Sequence, residues 1–584
     1  MTNPQAVPTY FGAADEPLFG WFHASAGGPE VGLVLCGPFG REELSAHRSL
    51  RELANTAAEA GWPVLRFDLA CSGDSAGDTL ADDLPARWLA SVHSAIDELR
   101  RLGGVQRVAL VGVRLGALLA WQAALTREDL AGLACIAPVL NGRAWLRELK
   151  ALEAASHPDA EATPIGVFEA GGFEMSEVAR DALSAIDLRR AAPLPAAPML
   201  VIDRGELPAL ERWVADLAAV GASICYRALP GYADMMLDPH RAEPPRAMWA
   251  EVLDWVRGLP SRPTAEYKHQ APVARRSVCW DGVREEAVTF DVPGGSLDAI
   301  VSTSVRGARS GCTLVLLNAG ATRRIGPSRI YVDLARRWAR RGHRVVRLDV
   351  SGLGDSAALP RQADNVVYSP SAVQEVCRVV EQLRADPSMG REVHLLGLCS
   401  GAYHGFKAAV SAARVDSVVA INPLTFYWHE GMSLDAPMAA HKVALDMTRY
   451  RRGVFVSERW RKLFGGGVDL RRVFGVLWLA GKAAATNPWR ELARILHLPL
   501  TDDLAAEVRA VTRRGARLKF LIAEGDPGEI LLRSQAGRTV DVLARAGLLK
   551  IQRFEGADHV FSRRRARLQL IEVLDGMFPG VPPR

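Results

Sequence analysis

The stretch Gly397-Leu398-Cys399-Ser400-Gly401 has the residue types and spacing of a turn built to present a nucleophile. A strand-like run, Glu392-Val393-His394-Leu395-Leu396, leads into it, and a helix-like run, Ala402 to Ala409, leads out. A residue at the apex of such a strand-to-helix turn takes a strained backbone conformation, so the positions two before and two after it must be small. With Cys399 as apex those positions are Gly397 and Gly401; with Ser400 they would be Leu398 and Ala402, and Leu398 is too bulky. The chemistry expected is therefore attack by a thiol on a carbonyl, with an acyl-cysteine intermediate. The competing reading is a glycine-bounded turn around an ordinary buried cysteine.

The elements that must position this turn occur twice. In the first half, the apolar strand Val31–Cys36 is followed by Gly37-Pro38-Phe39-Gly40, a helix from about Ser45 to Ala60, the segment Trp62–Asp68 and Cys71-Ser72-Gly73-Asp74-Ser75. In the second half, Cys312–Leu317 is followed by Asn318-Ala319-Gly320, a helix from about Ser328 to Arg341, the segment His343–Asp349 and Gly352-Leu353-Gly354-Asp355-Ser356. Each half then runs through a helix, a strand and a glycine-bounded turn, with Gly112-Val113-Arg114-Leu115-Gly116 the counterpart of the turn at Cys399. Short apolar strands alternating with helices predict mostly parallel, doubly wound sheets covered on both faces. The expected organisation is α/β, with a first domain over 1–262, a proline-bearing linker over 263–280 and a second domain over 281–584. Within the second domain, Glu286–Val292 and Leu297–Thr303 read as an opening hairpin, and residues about 423–515 read as a large helical lid insertion rich in Trp and Arg.

The order of these motifs resembles two fused α/β-hydrolase domains of the serine-aminopeptidase-like branch and is similar to bacterial hydrolases associated with exosortase systems. The resemblance rests on the turn after the first long strand, the Arg-x-Asp-x-x-x-x-Gly-Asp-Ser segments at Arg66–Ser75 and Arg347–Ser356, the elbow at Cys399, and Gly556-Ala557-Asp558-His559-Val560-Phe561-Ser562. It implies the order nucleophile, acid, histidine. His559 then falls in the place of the base and Asp526, at the end of the strand Leu518–Ala523, in the place of the acid, with Glu524 and Glu529 as alternatives and Asp558 as a loop-orienting residue. It also implies an oxyanion hole from the backbone N–H of Ser400 and of Gly320, with Ala321 close behind. Asn318-Ala319 stands where the family often has His-Gly. Asp349 and Asp355 have counterparts in Asp68 and Asp74 and so read as loop-structuring residues.

In the first half Arg114 occupies the apex, Glu206 the acid place, and Gly231–Met236 contains no histidine; His240 comes a few residues late. Arginine is charged at any relevant pH and cannot attack a carbonyl. The first domain is expected to be a degenerate pseudo-hydrolase, serving as a docking partner, dimerisation surface or anion-binding module, with an Arg114–Glu206 pair filling the site.

Composition narrows the partners. The 584 residues are 49% hydrophobic and 23% charged, as in a globular protein. The longest clean apolar stretch, Val473–Gly481, is too short to span a membrane. Met1–Asp15 lacks a charged start and an apolar core, and the eight cysteines lack paired spacing, so reduced thiols, no metal site, no cofactor and a cytoplasmic location are expected. The net charge of +5 hides an asymmetry: residues 1–270 hold 24 Lys+Arg against 35 Asp+Glu, leaving 47 against 31 beyond them. The basic half is suited to an acidic carrier protein, and the opposed halves to a homodimer. No nucleic-acid motif accompanies the charge. The reading is an acyl-ester or acyl-thioester hydrolase or acyltransferase acting on a small-molecule, carrier-bound or natural-product acyl substrate; its substrate-binding residues are unknown, Trp428 and Trp460 being lid candidates whose rings more often pack the lid's own core. The alternatives are a non-catalytic scaffold and a lactone hydrolase of the dienelactone type.

Overall fold

The computed structural model describes residues 6–25, 30–156, 166–190, 193–260, 273–306, 312–386, 392–411, 413–429, 431–432, 434, 496 and 500–580. Most of the expected lid, Trp460 included, lies outside the described residues. Two compact units divide the chain. One comprises Met1–Val288, Ile300–Arg306 and Ser328–Arg336; the other comprises Thr289–Ala299, Gly307–Pro327 and Arg337–Arg584.

The first sheet has eight strands, in the spatial order Ala6–Phe11, Leu18–His23, Val64–Phe67, Val31–Cys36, Arg107–Val113, Leu130–Ile136, Met199–Arg204 and Ile224–Leu229. The second has nine: Ser277–Trp280, Val283–Val292, Gly295–Ser304, Arg344–Leu348, Cys312–Leu317, Glu392–Leu398, Ser417–Ile421, Arg517–Ala523 and Leu549–Phe554. Apart from the extra edge strand, the two orders correspond strand for strand, so the duplication read from the sequence is a duplication of topology. Antiparallel strands open each sheet and the remaining pairs recorded are parallel. The expected hairpin at the start of the second sheet is present, as Val283–Val292 and Gly295–Ser304.

A parallel strand covered on both faces alternates its side chains between two cores. In Arg107–Val113, Val108 and Leu110 join one buried apolar cluster, while Ala109, Val111 and Val113 join another on the opposite face. The central strands of the second sheet follow suit, with Leu314 to Leu317, Val393, Leu395 and Leu396 fully buried.

The helix after the Cys399 turn, Ser400–Val410, packs into this core and carries one polar group at a cost. His404 is fully buried, and neither ring nitrogen finds a hydrogen-bond partner among the described residues. Burial lowers its pKa from 6.5 to about 4, so the folded chain holds the ring neutral. Between these values the unfolded chain binds a proton that the folded chain does not, so stability falls as pH drops from 6.5 towards 4, by about 3 kcal/mol over the whole window. His404→Leu should therefore flatten the acid limb of a urea-midpoint-against-pH curve in that window; an unchanged slope would place the acid sensitivity elsewhere.

Candidate active site

Cys399 sits where the strand Glu392–Leu398 gives way to its helix, with φ 58° and ψ −114°. Its amide still donates to Ile421 C=O of the neighbouring strand at 2.9 Å, so the bend begins only after the last ladder bond. The turn closes so tightly that a Cβ on Gly397 would lie 2.1 Å from the Gly401 carbonyl carbon. One on Gly401 would lie 2.6 Å from Leu317 O. Only glycine fits at either place, and the pair leaves Cys399 as the apex. The non-glycine backbone there carries roughly 1–3 kcal/mol of strain, held by the strands around it.

His559 and Asp526 come together as a pair. His559 Nδ1 lies 2.6 Å from Asp526 Oδ2, and Asp526 Oδ1 accepts the Gly528 N–H at 3.0 Å, which fixes the carboxylate. Glu524 and Glu529 are directed elsewhere. Glu524 accepts from Gly556 N–H at 3.4 Å, and Glu529 pairs with Arg533 and Arg553. Asp558 orients the loop, as expected, by accepting from Ser562 N–H at 2.7 Å. Burial alone would push the His559 imidazole down, but the bond to Asp526 and the adjacent Cys399 sulfur outweigh it and raise its pKa to about 10.

Asn422, which sequence reasoning passed over, ties the base to the sheet. Its Nδ2 donates to the His559 carbonyl at 2.7 Å and its Oδ1 accepts from Ala523 N–H at 2.7 Å. It sits just beyond the strand Ser417–Ile421 at φ 45°, a conformation that asparagine tolerates. An Asn after an apolar strand is the only signal it gives in the sequence.

The turn after Leu317 is held from beneath by buried charge. Asn318 Nδ2 donates to Asp349 Oδ1 at 2.7 Å, and Asn318 Oδ1 accepts from Val350 N–H at 2.9 Å. Arg324 Nη1 lies 2.8 Å from Asp349 Oδ2 and 2.6 Å from Asp355 Oδ2, all three side chains being buried. Asp349 and Asp355 thus do structure loops, and here they set the turn that the family position of His-Gly would otherwise shape. Burial raises the Asp349 pKa; Arg324 opposes this and Asp355 adds to it.

The Gly320 amide has a different role from the one expected. It donates to Ser400 Oγ at 2.9 Å, and the Ser400 hydroxyl lies 3.2 Å from Asn318 C=O. A serine directly after the apex reaches back to the turn and takes that donor. The next amide, Ala321 N–H, and the Ser400 N–H at the helix start make no hydrogen bond among the described residues, leaving two donors open beside Cys399.

Trp428 lies against the site, stacked on Tyr368 with ring centroids 4.2 Å apart and planes 12° from parallel. Among the described residues no group of His, Cys, Asp and Glu is arranged to hold a metal ion, and no helix is long and apolar enough to cross a membrane.

In the first unit the same turn carries Arg114 at its apex. Arg114 has φ 55° and ψ −117°, and a Cβ on Gly116 would lie 2.1 Å from Cys36 O. The expected Arg114–Glu206 pair does not form. Arg114 instead reaches Glu42 and Glu148, each at 2.7 Å, while Glu206 accepts from Gly231 N–H at 2.7 Å. Two helices flank the apex closely enough to supply carboxylates there, whereas Glu206 is taken by its own loop. Burial works against the Arg114 charge, and Glu42, Tyr232 and Glu148 outweigh it.

Residues 314–568 match the alpha/beta hydrolase family. The chain carries an α/β-hydrolase domain there. Proline iminopeptidase of Mycobacterium smegmatis is 16% identical, covering 44% of this chain and 98% of its own, with a TM-score of 0.32. Est1E of Butyrivibrio proteoclasticus, solved with ferulic acid, is 17% identical over 43% of this chain and 98% of its own, with a TM-score of 0.32. The DcsB complex with its substrate analogue is 16% identical over 44% and 99%, with a TM-score of 0.33. No curated protein matches the chain.

The buried Arg324 cluster supplies a direct test of how the turn after Leu317 is held. Arg324→Met should remove the cation that the two buried carboxylates share and cost about 3–5 kcal/mol, read as a lowered denaturant midpoint. A midpoint within error of the parent would show that the turn stands without this ion cluster.

Proposed function

We propose that the hydrolase domain is an acyl-ester or acyl-thioester hydrolase or acyltransferase working through Cys399, His559 and Asp526. The observation that carries the reading is the convergence of three separate elements. A cysteine occupies the strained apex of a strand–helix elbow, and beside it stands an imidazole whose other nitrogen is bound to a buried carboxylate at 2.6 Å. Asp526 holds the ring in one orientation and favours its charged form.

His559 takes the Cys399 proton and the thiolate attacks the substrate carbonyl carbon. The carbonyl oxygen gathers negative charge between the Ser400 and Ala321 amides, at the positive end of the helix Ser400–Val410. As the tetrahedral intermediate collapses, the bond to the leaving group breaks and His559 returns its proton to that group. Water, or an alcohol, amine or thiol, then attacks the acyl-cysteine with His559 as base, and the sulfur departs as thiolate. Hydrolysis and acyl transfer differ only in that acceptor. The basic charge of residues 271–584 supports an acyl substrate delivered on an acidic carrier, and its opposition to the acidic first half supports a homodimer. We propose further that the first unit is catalytically inert, its Arg114 neutralised by Glu42 and Glu148, and that the protein works in the cytoplasm.

A panel of acyl esters, acyl thioesters and lactones, followed by intact mass, tests this. Wild-type protein should gain the acyl mass on Cys399 and release it. Cys399→Ser, His559→Ala and Asp526→Asn should each lower turnover by roughly 10³-fold or more. Turnover unchanged in Cys399→Ser would refute the assignment, and wild-type protein with neither turnover nor adduct on any substrate would favour a scaffold.

A further inference from the structure

The site contains a second hydroxyl-bearing residue with no role in the scheme above. Tyr368 lies in the loop that precedes the helix Ala372–Ala385 and is buried. Its ring is held on three sides. Trp428 stacks on one face, Tyr403 meets it at 5.1 Å edge-on, and His404 meets it at 5.9 Å. Tyr403 and His404 follow Cys399 by four and five residues, so the same helix that presents the sulfur also orients the phenol. The loop itself is anchored by a chain of polar contacts. Gln362 Nε2 donates to Ser369 Oγ at 2.5 Å, and the Ser351 hydroxyl lies 3.0 Å from Gln362 Oε1 and 2.5 Å from buried Glu375.

The phenol oxygen of Tyr368 is buried and makes no full hydrogen bond among the described residues, an arrangement that costs free energy unless a partner arrives. The group it faces is Cys399. After burial, the neighbouring Cys399 sulfur and Tyr403 push the phenol well above its usual range, so Tyr368 keeps its proton and is a donor near neutrality. A thiol sulfur is only a weak acceptor.

We infer that Tyr368 is a further catalytic residue, whose hydroxyl donates a hydrogen bond to the Cys399 sulfur when it becomes a thiolate. The inference rests on the acyl-cysteine reading. The proton stays on the phenol throughout; the thiol proton goes to His559, and the Tyr368 bond stabilises the sulfur both before attack and as the leaving thiolate of the second half-reaction. The other titratable groups facing the sulfur or the phenol are the His559–Asp526 pair, Tyr403 and His404. Burial raises the Tyr403 pKa and lowers that of His404, leaving both uncharged near neutrality. Glu507 and Asp502 act on Tyr403 only and add to its rise.

Tyr368→Phe keeps the ring, its stack on Trp428 and its edge contacts, and deletes only the donor. The test is the pH dependence of iodoacetamide alkylation of the full chain. It is read on the peptide containing Cys399 by mass, because exposed Cys279 and half-buried Cys225, Cys312 and Cys377 also react. In wild type the Cys399 profile should have its midpoint below that of an ordinary thiol, and His559→Ala should abolish this. Tyr368→Phe should move the midpoint up by about one pH unit, slowing alkylation about tenfold on the acid side, with the melting temperature unchanged. A wild-type profile of that kind with an identical one in Tyr368→Phe makes the tyrosine packing alone and overturns the inference. A wild-type midpoint like that of a free thiol, indifferent to His559→Ala, sinks the cysteine reading and the inference with it.

Discussion

A side chain can stand clear above a parallel sheet only if the backbone beneath it bends sharply where strand becomes helix, and that bend is the constraint on which the hydrolase domain is built. Three consequences follow from it. Gly397 and Gly401 must lack side chains because backbone passes through the space a Cβ would need. The apex residue is forced to positive φ, and its sulfur comes to lie at the start of a helix, where unpaired amides favour negative charge. The turn that opposes it, Asn318 to Ala321, lies close to the elbow, and packing Gly401 against Leu317 O sets that approach.

What stabilises the opposing turn is less economical than the elbow itself. Asn318 occupies a place where a side chain that bonds backbone on one side and carboxylate on the other keeps the loop in register, and it does so through Asp349. Burying a carboxylate there requires a cation, and Arg324 serves both Asp349 and Asp355. The ion cluster therefore acts as a rigid footing for backbone amides, a use in which geometry matters more than net stabilisation. Ser400 completes the lock by bridging Gly320 N–H and Asn318 C=O, which is why the open donor falls one residue further on.

The sequence made the scaffold legible because parallel strands announce themselves. Val31–Cys36 and Cys312–Leu317 were bounded in the sequence as they are in the sheets, since an apolar run ending in Gly, Pro or Asn has few other readings. Cys399 was legible for a steric reason, and His559 and Asp526 through the order of motifs. Roles that depend on loop geometry were not. That Gly320 gives up its amide to Ser400 depends on a hydroxyl reaching back across the elbow, and that Glu206 turns to Gly231 rather than Arg114 depends on which helices flank the apex. Tyr368 was invisible for the same reason: its significance comes from Trp428 and from the helix after Cys399, both distant in sequence. Between Ser356 and the helix that follows, the second half also has a longer loop than the first has after Ser75, so the repeat offered no counterpart to compare.

The two elbows show what the same backbone asks of different side chains. The start of a helix favours an anion, and on the proposed reading a Cys399 thiolate would meet that preference, with the His559 imidazole and the Tyr368 phenol as its donors. At Arg114 the apex carries the opposite sign, so the fold must bring carboxylates to it, Glu42 from the helix Arg41–Glu59 and Glu148 from the helix Gly142–Ser156. Burial raises the Glu42 pKa even beside that arginine, a measure of how poorly the pocket solvates charge. The arginine has therefore remade its surroundings. A thiol placed at residue 114 would stand among carboxylates that repel a thiolate, without a histidine in the expected place. The first unit keeps the strained turn because the sheet imposes it, whatever side chain stands at its apex.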